Sequence, residues 1–116
     1  MSGGYDAPLW EQIVECMRML DKALHECKER GQRMVAAKAH YYTAKSQNAF
    51  AMREEGYPVT FIQDVIKGVP EVNAAMSEYN KAEVEYENAR EARNVWKKKL
   101  DTLREQYSRE WSEAKE

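Results

Sequence analysis

Two histidines, two cysteines and 20 acidic side chains are the residues from which this 116-residue chain would have to build a catalytic or metal centre. The histidines, His25 and His40, stand at neither i,i+3 nor i,i+4 spacing, and no Glu-x-x-His pair of the di-iron carboxylate kind precedes them. Glu26 follows His25 directly, so on a helix the two side chains point to different faces. Cys16 and Cys27 fall within one predicted helix, about 16 Å apart at 1.5 Å per residue, beyond disulfide reach. They read as reduced thiols. There is no glycine-rich phosphate loop and no strand-turn-helix nucleophile elbow, and the carboxylates Glu83, Glu85, Glu87 and Glu91 read as a solvated helix face. No enzyme, metal site or cofactor is expected.

The remaining chemistry is ionic. The net charge is only −2, but basic residues cluster. Lys28, Arg30, Arg33, Lys38, Lys45 and Arg53 are opposed over that stretch only by Glu29, and Arg90, Arg93, Lys97, Lys98 and Lys99 only by Glu91. Arginine forks grip phosphate through paired hydrogen bonds, and Tyr41, Tyr42, Tyr86 and Trp96 offer faces on which bases could stack. A second anion site is expected near the segment after Thr60, where free helix amides would lie near Arg53, Tyr57 and Lys67. The candidate ligand-binding set is therefore Arg30, Arg33, Tyr41, Lys45, Arg53, Tyr57, Thr60, Lys67, Arg90, Arg93 and Lys97.

The element that must position these residues is the stretch from Arg53 to Pro70, which holds two of the three prolines and two of the five glycines. Pro58 pushes Tyr57 out of the helical region, and Gly56 can take the left-handed conformation that closes a helix. The first long helix, predicted from about residue 7, should end near residue 55. Thr60 and Gln63 have capping-box spacing, and Ile62, Val65 and Ile66 share a face, so a short helix is predicted over about 60–67. Pro70 suits the first turn of a last helix reaching about residue 112. Residues 1–6 read as a disordered tail, with Asp6 as N-cap.

Both long segments carry heptad seams. In the first, Trp10, Ile13, Met17, Leu20, Leu24 and Cys27 alternate steps of three and four; in the last, Val72, Ala75, Tyr79, Ala82, Tyr86, Ala89, Arg93, Trp96, Leu100, Leu103 and Tyr107 do so for five heptads. Gly31 could kink the first helix, which is read as continuous. The expected fold is all-α: a single domain in which a long antiparallel helical hairpin, coiled-coil-like, carries a short helix at its turn. Val14, Phe50, Val95 and Trp111 fall off the seams or at their edge, so a homo-oligomeric helical bundle, dimeric or larger, is expected. With the turn centred near residue 62, position n should face roughly 124 minus n. That register sets Lys28, Arg30 and Arg33 near Arg90, Arg93 and Lys97, a basic girdle whose arginine and lysine stems either snorkel to water or converge on an anion.

The run from Arg53 to Thr60, with Gly-Tyr-Pro-Val-Thr at its heart, followed by Ile62, Asp64 and Gly68, resembles a family of small all-helical proteins of phages and prophages of Gram-positive bacteria. The similarity covers about residues 35–105. It implies an accessory of recombination or replication, or an inhibitor of host defence, and carries over no functional residue.

Three functions fit these readings. The first is a non-enzymatic anti-defence protein that sequesters a phosphorylated ligand such as a host immune nucleotide signal. The second is a nucleic-acid-binding accessory of phage recombination, and the third a protein–protein inhibitor of a host defence nuclease. No apolar run approaches the roughly 20 residues of a membrane span, and no signal peptide opens the chain, so the cytoplasm of the bacterial host is the expected location.

Overall fold

The computed structural model describes residues 8–115. The expected tail, the Asp6 cap and a helix start at residue 7 lie outside that range. Among the described residues three α-helices follow one another: α1 (Leu9–Glu54), α2 (Val59–Val65), and α3 (Pro70–Lys115), with a 3-10 turn (Ile66–Gly68) between the last two. Among the described residues there is no strand, and no helix is long and apolar enough to cross a membrane.

The chain contains two compact units. The turn unit is Glu29–Glu87, and the open-end unit combines the segment up to Lys28 with the segment from Asn88 onward.

In the turn unit α1 ends in a Schellman motif. Gly56 takes φ +93°, and its N–H donates to the Arg53 carbonyl at 3.0 Å while the Tyr57 N–H donates to the Met52 carbonyl at 3.2 Å. Two carbonyls left open by the end of the helix are thereby satisfied. α2 begins one residue earlier than predicted. Pro58 is its N-cap, in extended conformation and with no side-chain cap bond, so Thr60 sits inside the helix and the capping box is not formed. Pro70 opens α3 as expected, and the Asn73 N–H reaches back to the Val69 carbonyl at 2.8 Å.

The core of the turn unit is Tyr41, Ala44, Ile62, Ile66, Val72 and Ala75, flanked by Ala49, Met52, Val69, Met76 and Tyr79. Here α1 and α3 run antiparallel. Asn48 Nδ2 donates to Glu71 Oε2 at 3.1 Å, the rings of Tyr41 and Tyr79 stack at 6.1 Å, and Arg33 pairs with Glu85. Position n thus faces roughly 119 minus n, about five residues from the register expected for a symmetric turn. The reason lies in α2 and the 3-10 turn after it, which fold Ile62 and Ile66 back onto α1 and α3. Gly31 does not interrupt α1. A Cβ there would lie 3.2 Å from Tyr86 Cε1, so the glycine lets that ring come close to the α1 backbone.

In the open-end unit the core is Ile13, Cys16, Leu100 and Leu103, with Leu9, Leu20 and Trp96 packed on it. The α1 seam there has a different phase from the one predicted. Leu9, Ile13, Cys16, Leu20, Ala23 and Cys27 are buried or half-buried, whereas Trp10, Met17 and Leu24 are exposed.

Candidate binding surfaces

The turn unit holds eight residues of the predicted set. Arg33 Nη1 lies 3.8 Å from Glu85 Oε2, with 64% of the arginine side chain exposed, and Arg30 Nη1 donates to the Glu85 carbonyl at 3.5 Å. The register places a carboxylate beside Arg33, so this arginine has a counter-charge within its own unit. Tyr41 belongs to the core: its ring stacks on Tyr79, tilts 5.3 Å from Tyr42, and lies 5.9 Å below Lys45 Nζ. A ring used in that way is not an open face for a base. Arg53, Tyr57, Thr60 and Lys67 are exposed near the turn, where Tyr57 stacks on Phe61 at 5.2 Å.

Arg90, Arg93 and Lys97 belong to the open-end unit. Arg93 occupies a seam position and is half-buried, directing Nη1 to Cys27 Sγ at 3.9 Å and Nη2 to Asn94 Oδ1 at 3.5 Å. Arg90 and Lys97 are exposed. Among the described residues, no group of three or more histidine, cysteine or acidic side chains is placed to hold a metal ion.

Two features of the open-end unit were not singled out from sequence. The first is a row on α1: Trp10, Val14, Met17 and Leu24, each 45–58% exposed. Steps of four, three and seven put these large apolar side chains on one face, beside the buried seam. The sequence carries the signal, since Trp10, Met17 and Leu24 fall in a three-four pattern, but that same pattern reads as the seam itself.

The second feature is a groove of about 580 Å3 on the other flank of the seam, lined by Glu11, Gln12, Glu15, Cys16 and Met19 from α1 and by Trp96, Lys99 and Leu103 from α3. Cys16 Sγ donates to the Trp96 carbonyl at 3.5 Å, and burial pushes this thiol above its ordinary value, with the Lys99 charge acting the other way. Lys99 Nζ sits 5.0 Å over the Trp96 ring. At the rim Arg18 donates twice to Glu15, at 3.0 and 2.6 Å, and these hydrogen bonds hold the Glu15 carboxyl below its usual range.

No family model, curated protein or solved structure matches the chain.

Proposed function

We propose that the chain is a non-enzymatic binding protein that acts by docking onto another protein. On the resemblance of its turn, we further assign it to the phage or prophage accessories directed at host defence. The observation that supports docking is the exposed row Trp10, Val14, Met17 and Leu24. Four large apolar side chains exposed at helical spacing, with Asp21 between Met17 and Leu24, form the kind of patch that marks protein contact surfaces, and tryptophan is enriched among residues that anchor them. The test is capture from a Gram-positive bacterial lysate by the full chain, compared with Met17→Glu/Leu24→Glu. Both changes lie on the exposed face, so helicity should be kept. A protein retained by the wild type and lost from the double variant supports docking, whereas identical capture profiles refute it.

A second reading, capture of a phosphorylated ligand, is favoured by the Arg33 fork. Its ion pair is long and open to solvent, so a phosphate could displace Glu85. Nucleotides, short oligonucleotides and inorganic phosphate should then include one strong thermal stabiliser whose effect weakens in Arg33→Ala. Steep loss of affinity with salt would mark a nucleic acid, which lies across many phosphates, rather than a small nucleotide. A panel in which nothing shifts the melting temperature removes this reading.

A further inference from the structure

In the turn unit α1 carries no acidic residue over 30–53, and two large rings on that stretch stand in water: Tyr42, 51% exposed, and Phe50, 65% exposed. Bases are interleaved with them. Lys38 precedes Tyr42 by four residues, Lys45 follows it by three, and Arg53 follows Phe50 by three, steps that make each base the neighbour of a ring on the helix surface. Lys38 and Arg53 are exposed, and Lys45 is half-buried with its Nζ 5.9 Å from the centre of the Tyr41 ring. None of the three forms an ion pair among the described residues.

The acids of the turn unit lie mostly away from this strip. With position n facing roughly 119 minus n, residues 42–50 stand opposite 69–77, where the one acid, Glu71, accepts the Asn48 hydrogen bond. Glu83 and Glu87 fall opposite residues 36 and 32, so Glu83 offsets Lys38 in part. Glu78 and Glu85 line a hollow with Arg33 and Lys81, and Arg33 stands five residues, or about 140°, around the helix from Lys38. At the turn Glu54, Glu55 and Asp64 are set against Arg53 and Lys67. Lys45, between the two rings, is the least offset of the three bases.

We propose that this strip binds a single-stranded nucleic acid, with bases stacked on Tyr42 and Phe50 and phosphates held by Lys38, Lys45 and Arg53. The site uses neither the apolar row of the open-end unit nor the Arg33 fork, so it stands or falls apart from both readings above. Rings alone would suit any apolar partner and lysines alone any polyanion. Their alternation suits a chain that itself alternates flat bases with phosphates. The rings lie about 12 Å apart along the helix, eight residues at 1.5 Å each, so one strand can engage both. A duplex keeps its base faces stacked on one another and offers none to the rings, which selects the single strand.

Fluorescence anisotropy of a labelled oligothymidine and a labelled oligouridine, each of about 16 nucleotides, titrated with the purified full chain at graded salt tests this. Both should bind, and a duplex of equal length should bind about tenfold more weakly. With three phosphate contacts at roughly −0.7 each, the logarithm of affinity should fall with the logarithm of salt at a slope of about −2. Lys38→Gln/Lys45→Gln should flatten that slope by about 1.4, and Lys38→Arg/Lys45→Arg should keep it. Tyr42→Ala and Phe50→Ala, made separately, should each weaken binding about tenfold with the slope unchanged, because a ring neutralises no phosphate. Circular dichroism should show full helicity in every variant, since none removes a core residue. No binding at low salt, a slope unmoved in Lys38→Gln/Lys45→Gln, wild-type affinity in either ring variant, or a duplex bound as tightly as the single strand overturns the proposal.

Discussion

Val72 and Val84 sit on the same helix and differ in one respect: Val72 is fully buried in the turn-unit core, whereas Val84 is 60% exposed. Replacing Val72 with alanine removes two methyl groups from contact with its core neighbours. At about 0.8 kcal/mol per buried carbon, the lost transfer energy is roughly 1.6 kcal/mol. A residual cavity of roughly 50 Å3, at about 24 cal/mol per Å3, adds about 1.2 kcal/mol if the surroundings do not collapse. Alanine returns about 0.5 kcal/mol through its better helix propensity. The net cost of Val72→Ala is then about 2 kcal/mol, or roughly 10 °C in melting temperature for a chain of this size. Val84→Ala keeps the propensity gain and loses almost no burial, so it should be neutral or stabilising by about 0.5 kcal/mol. Chemical denaturation followed by far-UV circular dichroism measures both. Equal effects of the two substitutions, or a Val72→Ala cost below about 0.5 kcal/mol, would refute the placement of α2 and α3 around that core.

Gly56→Ala should cost about 1 kcal/mol by circular dichroism melting, because φ +93° strains any L side chain although the space around it is open. Thr60→Ala should fall within about 0.5 kcal/mol of the wild type in the same assay, since its hydroxyl caps nothing; a loss near 1 kcal/mol would restore the capping box. Cys16→Ala should flatten the fall of stability at alkaline pH. With the folded thiol raised above its ordinary value of 9.0, the unfolded chain releases its proton first, so stability present below about pH 9 is lost as pH rises, by at most about 1.4 kcal/mol per pH unit. Equal slopes for wild type and variant in denaturation at graded pH would contradict the burial of that thiol.

The α3 seam was legible throughout: every position from Val72 to Leu103 in the three-four pattern is buried or half-buried, and only its last member, Tyr107, stands exposed. Alanine alternating with tyrosine left no competing phase. On α1 two phases overlap, sharing Ile13, Leu20 and Cys27. Hydrophobicity alone favours Trp10, Met17 and Leu24 over Leu9, Cys16 and Ala23, but a close helix pair selects the smaller residues and leaves the larger ones outside. The register departs from that of a symmetric turn for a related reason. A turn read only as a reversal predicts symmetric arms, whereas Ile62 and Ile66 pack back on Tyr41, Ala44, Val72 and Ala75, and α2 becomes part of the core. That displacement also changed the reading of the basic residues, because it sets Glu85 beside Arg33. The exposed row was visible only once the seam phase was known.

Oxidative footprinting of the full chain, dilute and then concentrated or with a captured partner, tests the role of that row most directly. Met17 and Trp10 should be modified rapidly in the dilute chain and protected in the complex, while half-buried Met34 and exposed Phe50 keep their rates. Unchanged modification of Met17 and Trp10 in a complex shown to have formed would contradict the assignment of the row as the binding surface.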